Sequence, residues 1–171
     1  PHRFISQRNA FCNTQDVNLT EKPSSQSSTF IDDNQTEHTS ERAHDGDPST
    51  CSQTEELLPS WWRIDLQGVY NVSCITIDNN NNNNNNNRSS SSDISGAQIY
   101  VGFSRQNNGT NNKVGNITGV TEGVPDAYKL SPALGRYVTV LLPMTKPLRL
   151  CEVNVTATQI ICILLPLVRS S

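Results

Sequence analysis

An all-β sandwich is the fold class this chain predicts, and three observations carry it. Apolar residues alternate with polar ones over short runs, Gly, Pro and Asn separate those runs, and helical periodicity is nearly absent. Hydrophobic content is only 34% and aromatic content 6%, which fits a β-module with much Asn-, Ser- and Thr-rich connecting chain. At 171 residues there is enough chain for one core of ordinary size.

In order, residues 1–17 show no period and are expected as an N-terminal arm. The domain follows over 18–157, and a short apolar tail over 158–171 closes the chain. "SSQSSTF" (Ser24–Phe30) alternates weakly, as an edge strand does, and the long polar stretch from Ile31 to Ser60, punctuated by Gly46, Pro48 and Pro59, reads as loops. "WWRIDL" and "VYNVSCITI" alternate strongly with only Gln67 and Gly68 between them, so two strands joined by a tight turn are expected. "AQIYVGF", "AYKL", "GRYVTVLL" and "LRLCEVNV" are further strand candidates. Between "VYNVSCITI" and "AQIYVGF" lie nine consecutive asparagines and then "RSSSS", with no apolar residue to anchor a loop.

Alternation puts one of Trp61 and Trp62 inside and the other toward the surface, where an indole can stack on a sugar; core and rim packing at a strand start is the favoured reading. Arg63 and Asp65 fall on one face two residues apart, within reach of each other, and such a pairing reads as a structural ion pair rather than a site.

The formal charge is −3, with 16 acidic and 13 basic residues interspersed, so the chain lacks the basic stripe that nucleic acid would need. "IICILLPLV" is far shorter than a membrane span and Pro166 interrupts it; a tail strand or packing segment is expected. The five cysteines, Cys12, Cys51, Cys74, Cys151 and Cys162, have no CxxC spacing and leave at least one free or paired between chains. Sequons at Asn18, Asn34, Asn71, Asn87, Asn108, Asn116 and Asn154 favour the secretory route modestly, because so Asn-rich a chain makes them by chance. No leader is visible, and the chain begins at Pro1 without methionine, as a mature protein or a fragment does. His2, His38 and His44 lie in loops or the arm, none in a nucleophile motif, so no enzyme is expected.

"NLTEKPSSQSST", "RAHDGDPSTCS", "PSWWRIDL", "YNVSCITI", "GAQIYVG", "NNGTNNK", "GRYVTVLLP" and "LRLCEVNV", taken together, resemble the F-type lectins, the fucose-binding lectin domain, from about Asn18 to Val155. The resemblance implies an eight-stranded jelly-roll β-sandwich like the galactose-binding domains, a structural Ca²⁺ and a shallow fucose pocket made by loops. It matches Asp45 to a carboxylate ligand, Arg42 and Asp47 to positions giving backbone carbonyls, Thr50 to a hydroxyl and carbonyl ligand, Cys151 to a carbonyl and Glu152 to a carboxylate. Hard oxygens of these kinds are what Ca²⁺ selects. It also implies a Cys51–Cys151 disulfide beside the metal. The second common disulfide of the family is missing at both ends, where Gly115 and Leu130 stand. Cys74 is then expected as a buried free thiol, and Cys12 and Cys162 pair with each other or between chains.

At the sugar site the chain departs from the family. Gln53 replaces the histidine, Asn80 the first arginine, and Asn82, Asn83 and Asn84 the Asp-Cys-Cys floor; the second arginine falls on Asn87, with Arg88 adjacent. Carboxamides keep hydrogen-bonding capacity but lose the charge and the rigid fork of a guanidinium. The expected sugar contacts are Gln53, Asn80 and Arg88. Two functions follow: a secreted calcium-containing lectin for fucosylated glycans, for example in microbial recognition, with possible homo-oligomerisation adding avidity; or a degenerate lectin domain acting as a structural or protein-binding module.

Overall fold

The computed structural model describes residues 15–79, 93–106, 111–119 and 125–161. Among them are eight strands: β1 Ser24–Gln26, β2 Ser52–Gln53, β3 Ser60–Asp78, β4 Gln98–Gly102, β5 Asn112–Asn116, β6 Asp126–Leu142, β7 Arg149–Leu150 and β8 Glu152–Gln159. The described helical structure is one 3-10 turn, Ser40–Ala43. The all-β, jelly-roll expectation is met.

Two long antiparallel strands organise the molecule. β3 runs for 19 residues and β6 for 17, paired from Ser60↔Leu142 to Ile77↔Asp126. The first half of β3 has β1 on its other edge, while the second half has β8 there. β4 joins β6 only over Tyr137–Leu141, and β5 continues outward from β4. One layer is therefore β1–β3–β6–β4–β5 and the other β8–β3–β6, with β3 and β6 bending from layer to layer as the corner strands of a sandwich do.

The bend corrects the hairpin expected at Gln67-Gly68. Both apolar runs belong to one strand, and the register slips between Asp65/Tyr137 and Tyr70/Gly135, so β3 carries extra residues around the outside of the corner. Gln67 takes φ 57° there. The turn-like dipeptide marks a change of layer, not a reversal of the chain. "AYKL" and "GRYVTVLL" are likewise two halves of β6, with Gly135 at their corner. A Cβ on Gly135 would lie 2.6 Å from the backbone nitrogen of Gly102 and 2.7 Å from Val101 Cγ1, so the bend needs glycine. β5, "NKVGN", lies where alternation gave no strand signal.

The inner faces meet in one cluster that includes Trp62, Ile64, Leu66, Val72, Ile75, Ile77, Ile99, Val138, Val140, Leu142, Val153 and Val155, all at 1% exposure or less. Each such side chain contributes roughly 1.5–3 kcal/mol over its exposed state. Leu130 Cδ2 sits 2.9 Å from where a Cβ on Gly115 would be. The two positions that lack the second disulfide thus face each other, and leucine fills the space over glycine.

Cys74 is buried, at 1% exposure, as alternation requires, but it is disulfide-bonded rather than free. Alternation reports the burial of a thiol and says nothing of its bonding. Cys12 and Cys162, like the apolar run after Ile161, lie outside the described residues. Asp65 does not pair with Arg63. Its carboxylate accepts from Arg136 Nε and Nη2 at 2.7 and 2.8 Å, because the corner swings Arg136 back over it. These bonds hold its pKa below the ordinary carboxylate value.

Candidate functional site

Both ends of β3 reach the same rim. Ser60 Oγ donates to the carbonyl of Lys146 at 2.9 Å, and Asn79 Nδ2 donates to that of Arg149 at 3.0 Å. The short ladder of β2 with β7 closes the rim, pairing Ser52 with Leu150 and Gln53 with Arg149.

The approach to this rim is fixed from the core outward. Trp62, on the inner face, donates its indole N–H to the carbonyl of Ser40 at 2.9 Å. Ser24 Oγ donates to Ser40 Oγ at 2.9 Å, and His44 Nε2 contacts Ser24 Oγ at 2.9 Å. Burial pushes the His44 imidazole below its ordinary pKa, so it packs as a neutral ring. With the 3-10 turn anchored, the chain leaves Arg42 and His44 and enters an exposed acidic turn.

In that turn Asp45 Oδ1 accepts the Asp47 N–H at 2.9 Å, and Asp45 Oδ2 accepts Thr50 Oγ1 at 2.6 Å. Thr50 N–H also donates to the Asp47 carbonyl at 3.0 Å. Gly46 adopts φ 83°, a conformation open to glycine, and its N–H donates to Glu152 Oε2 at 3.2 Å. Cys51 is bonded to Cys151 across 100 residues, so the acidic turn and the start of β8 are joined covalently one residue from Thr50 and from Glu152. The expected disulfide is present.

Burial raises the Glu152 pKa to about 7, and the negative charges of Asp45, Asp78 and Asp47 add to the rise while the Gly46 N–H opposes it. The rim therefore brings several carboxylates close enough to oppose the ionisation of Glu152. Among the described residues no three His, Cys, Asp or Glu side chains converge as a metal cluster. The donors at hand are the carboxylates of Asp45 and Glu152, the Thr50 hydroxyl and backbone carbonyls.

Of the residues expected at the sugar, Gln53 is on β2, half-buried, beside this rim. Its N–H donates to the His38 carbonyl at 3.0 Å, and its carbonyl accepts from the Phe30 N–H at 3.0 Å and Gln26 Nε2 at 3.2 Å. Asn80 and Arg88, with Asn82, Asn83, Asn84 and Asn87, lie outside the described residues. One asparagine of the tract has a role that sequence reasoning missed. Asn79 is buried at 4% exposure, and it ties the β7–β8 junction by donating to Arg149 and accepting the Cys151 N–H at 3.2 Å. Nothing in a homopolymer run distinguishes its first member.

Residues 42–140 match the family model described as the NedA-like, galactose-binding domain. Fucolectin-5 of Anguilla japonica is 40% identical over 118 residues, covering 68% of this chain and 59% of that protein. The crystal structure of a fucolectin from the serum of striped bass, Morone saxatilis, superposes with TM-score 0.69 at 31% identity, over 85% of this chain and 50% of that one. The chain belongs to the F-type lectin family. A fucose binding module of Streptococcus pneumoniae, SpX-3, has the same fold with TM-score 0.61 at 26% identity, over 85% of this F-type lectin chain and 99% of the module. The chain spans about three fifths of the eel protein's length.

Proposed function

We propose that this F-type lectin domain is an extracellular, calcium-containing carbohydrate-binding module for fucosylated glycans. The supporting observation is the rim itself: a disulfide-backed acidic turn meets Glu152 next to the strand that carries Gln53. The relatives reported above are named fucolectins and a fucose binding module, and the chain shares their fold.

The rim's chemistry fits Ca²⁺. Carboxylates, a hydroxyl and carbonyls are hard oxygen donors, and a half-buried Glu152 among other carboxylates is costly to ionise until a cation balances it. Asp45 and Glu152 would hold the ion by carboxylate, Thr50 by hydroxyl and carbonyl, and Arg42, Asp47 and Cys151 by carbonyl. The ion's part is to fix the rim on which the sugar loops stand. Gln53, Asn80 and Arg88 are assigned to the sugar, with carboxamides in place of the family's charged donors.

That replacement favours a second reading, a lectin fold retained as a structural or protein-binding module without sugar. A glycan array with added calcium, against a chelated control, separates the two. Calcium-dependent signal on fucosylated structures, competed by free fucose, supports the lectin. Silence from folded, calcium-stabilised protein supports the module.

A further inference from the structure

The outer face of the five-stranded layer carries a second concavity, one that shares no residue with the acidic rim. A cleft of about 490 Å³ is lined by Pro59, Trp61, Arg63, Arg105, Thr139 and Leu141, together with Gln106. The ladder places these groups. Trp61 pairs with Leu141 and then Gln98 in one cross-strand row, and Arg63 pairs with Thr139 and then Tyr100 and Lys113 in the next. Residues directly opposite in a sheet share a face, so the two rows project together.

Three features mark the cleft as more than a gap between side chains. Arg63 stacks over Trp61 at 4.8 Å from the ring centroid, and it also lies 6.0 Å from the centroid of Tyr137. It donates to the carbonyl of Arg105 and to Ser25 Oγ. No carboxylate bonds it among the described residues, because Asp65 is taken by Arg136. Arg105 brings a second guanidinium close enough that the two cations repel. Thr139 is 1% exposed, yet its Oγ1 has no hydrogen-bond partner. A buried hydroxyl without a partner is costly, and here it lines the cleft.

We propose that this cleft is a second saccharide site, specific for a carboxylated sugar such as a sialate or uronate. Two guanidiniums side by side match a carboxylate, which accepts from both by charge-assisted bonds. The apolar edge of the pyranose lies along Trp61 and Leu141, and a ring hydroxyl meets Thr139 Oγ1. A neutral sugar gives the two cations no bonded counter-charge, since the Asp65 carboxylate that acts on them through space is hydrogen-bonded to Arg136, and a bare inorganic anion leaves the apolar wall and Thr139 unfilled. The acidic group is thereby selected together with its ring.

The test is titration of the intact chain with 3′-sialyllactose, lactose and sulfate, read by calorimetry and by the Trp61 indole resonance. The expected result is saturable binding of sialyllactose at least about tenfold tighter than lactose, weakened by added salt. Arg105→Gln, a surface change, is expected to weaken it about tenfold, and Thr139→Val by a smaller factor, both without altering retention on a fucose resin. That retention separates this site from the rim: a failed fucose assay leaves the sialyllactose result readable, and the reverse. No binding of sialyllactose, equal binding of lactose, full reproduction by sulfate alone, or undiminished binding to Arg105→Gln would each overturn the proposal.

Discussion

The acidic rim and the cationic sheet face show two ways of holding functional groups in place. The rim is built from a loop, and its positions are secured by a covalent bond, an anchored 3-10 turn and the buried Asn79. The face is built on strands, and its positions are inherited from the ladder that sets Trp61 opposite Leu141 and Arg63 opposite Thr139. A site on regular strands needs no crosslink, because register already fixes its geometry.

The comparison breaks most visibly at the disulfide. Replacing both Cys51 and Cys151 by serine frees a loop of 100 residues in the unfolded chain. Stability should fall by about 2–5 kcal/mol in denaturant titrations. Calcium response should fall with it, whereas the Trp61 environment in the residual folded protein should be unchanged. Loss of both together would show that the face also depends on the rim.

Next in size is the metal. At calcium a hundredfold above its dissociation constant, binding stabilises by about 2.7 kcal/mol. Glu152→Ala is expected to abolish the calcium-dependent rise in melting temperature, because it removes one of the two carboxylates assigned to the ion, the one that accepts the Gly46 N–H. An equal rise in mutant and parent would place the ion elsewhere.

Gly135→Ala tests the corner that separates the two regions. A methyl 2.6 Å from the Gly102 nitrogen must push β4 from β6, and such overpacking costs about 1–3 kcal/mol. The displacement falls on the cationic layer, so sialyllactose binding should weaken while calcium stabilisation persists.

What the sequence made legible follows from these same contacts. Period-two alternation exposed β3, β4 and β6 because one of their faces is buried, and the rim was legible only through the family resemblance that "RAHDGDPSTCS" and "LRLCEVNV" help to carry. Long-range choices were not visible. Gln67-Gly68 has the same composition whether the chain reverses or merely changes layer, and only the partner strand decides. Asp65 had Arg63 nearby in sequence and took Arg136 from across the corner. The cleft was half visible in Trp61 and Arg63, but Arg105 and Thr139 reach it from elements whose adjacency is a property of the sheet.

The smallest effect expected is at Asp65, whose carboxylate is engaged by Arg136 rather than by the guanidiniums of the cationic face. Its folded pKa lies below the unfolded value, so the unfolded chain binds more protons as pH falls through that range. The stabilisation is complete above the unfolded pKa, near pH 4, and is lost as pH drops through the folded one. Asp65→Asn should therefore be less stable than the parent at neutral pH, and the difference should shrink in urea titrations taken below about pH 4. Asp32, Asp47 and Asp93 are lowered too, so the parent-minus-variant difference, rather than either curve, isolates this pair. A difference independent of pH would mean that Asp65 acts through packing at the corner. Arg136 would then be held there by Tyr137, whose ring centroid it approaches to 5.4 Å.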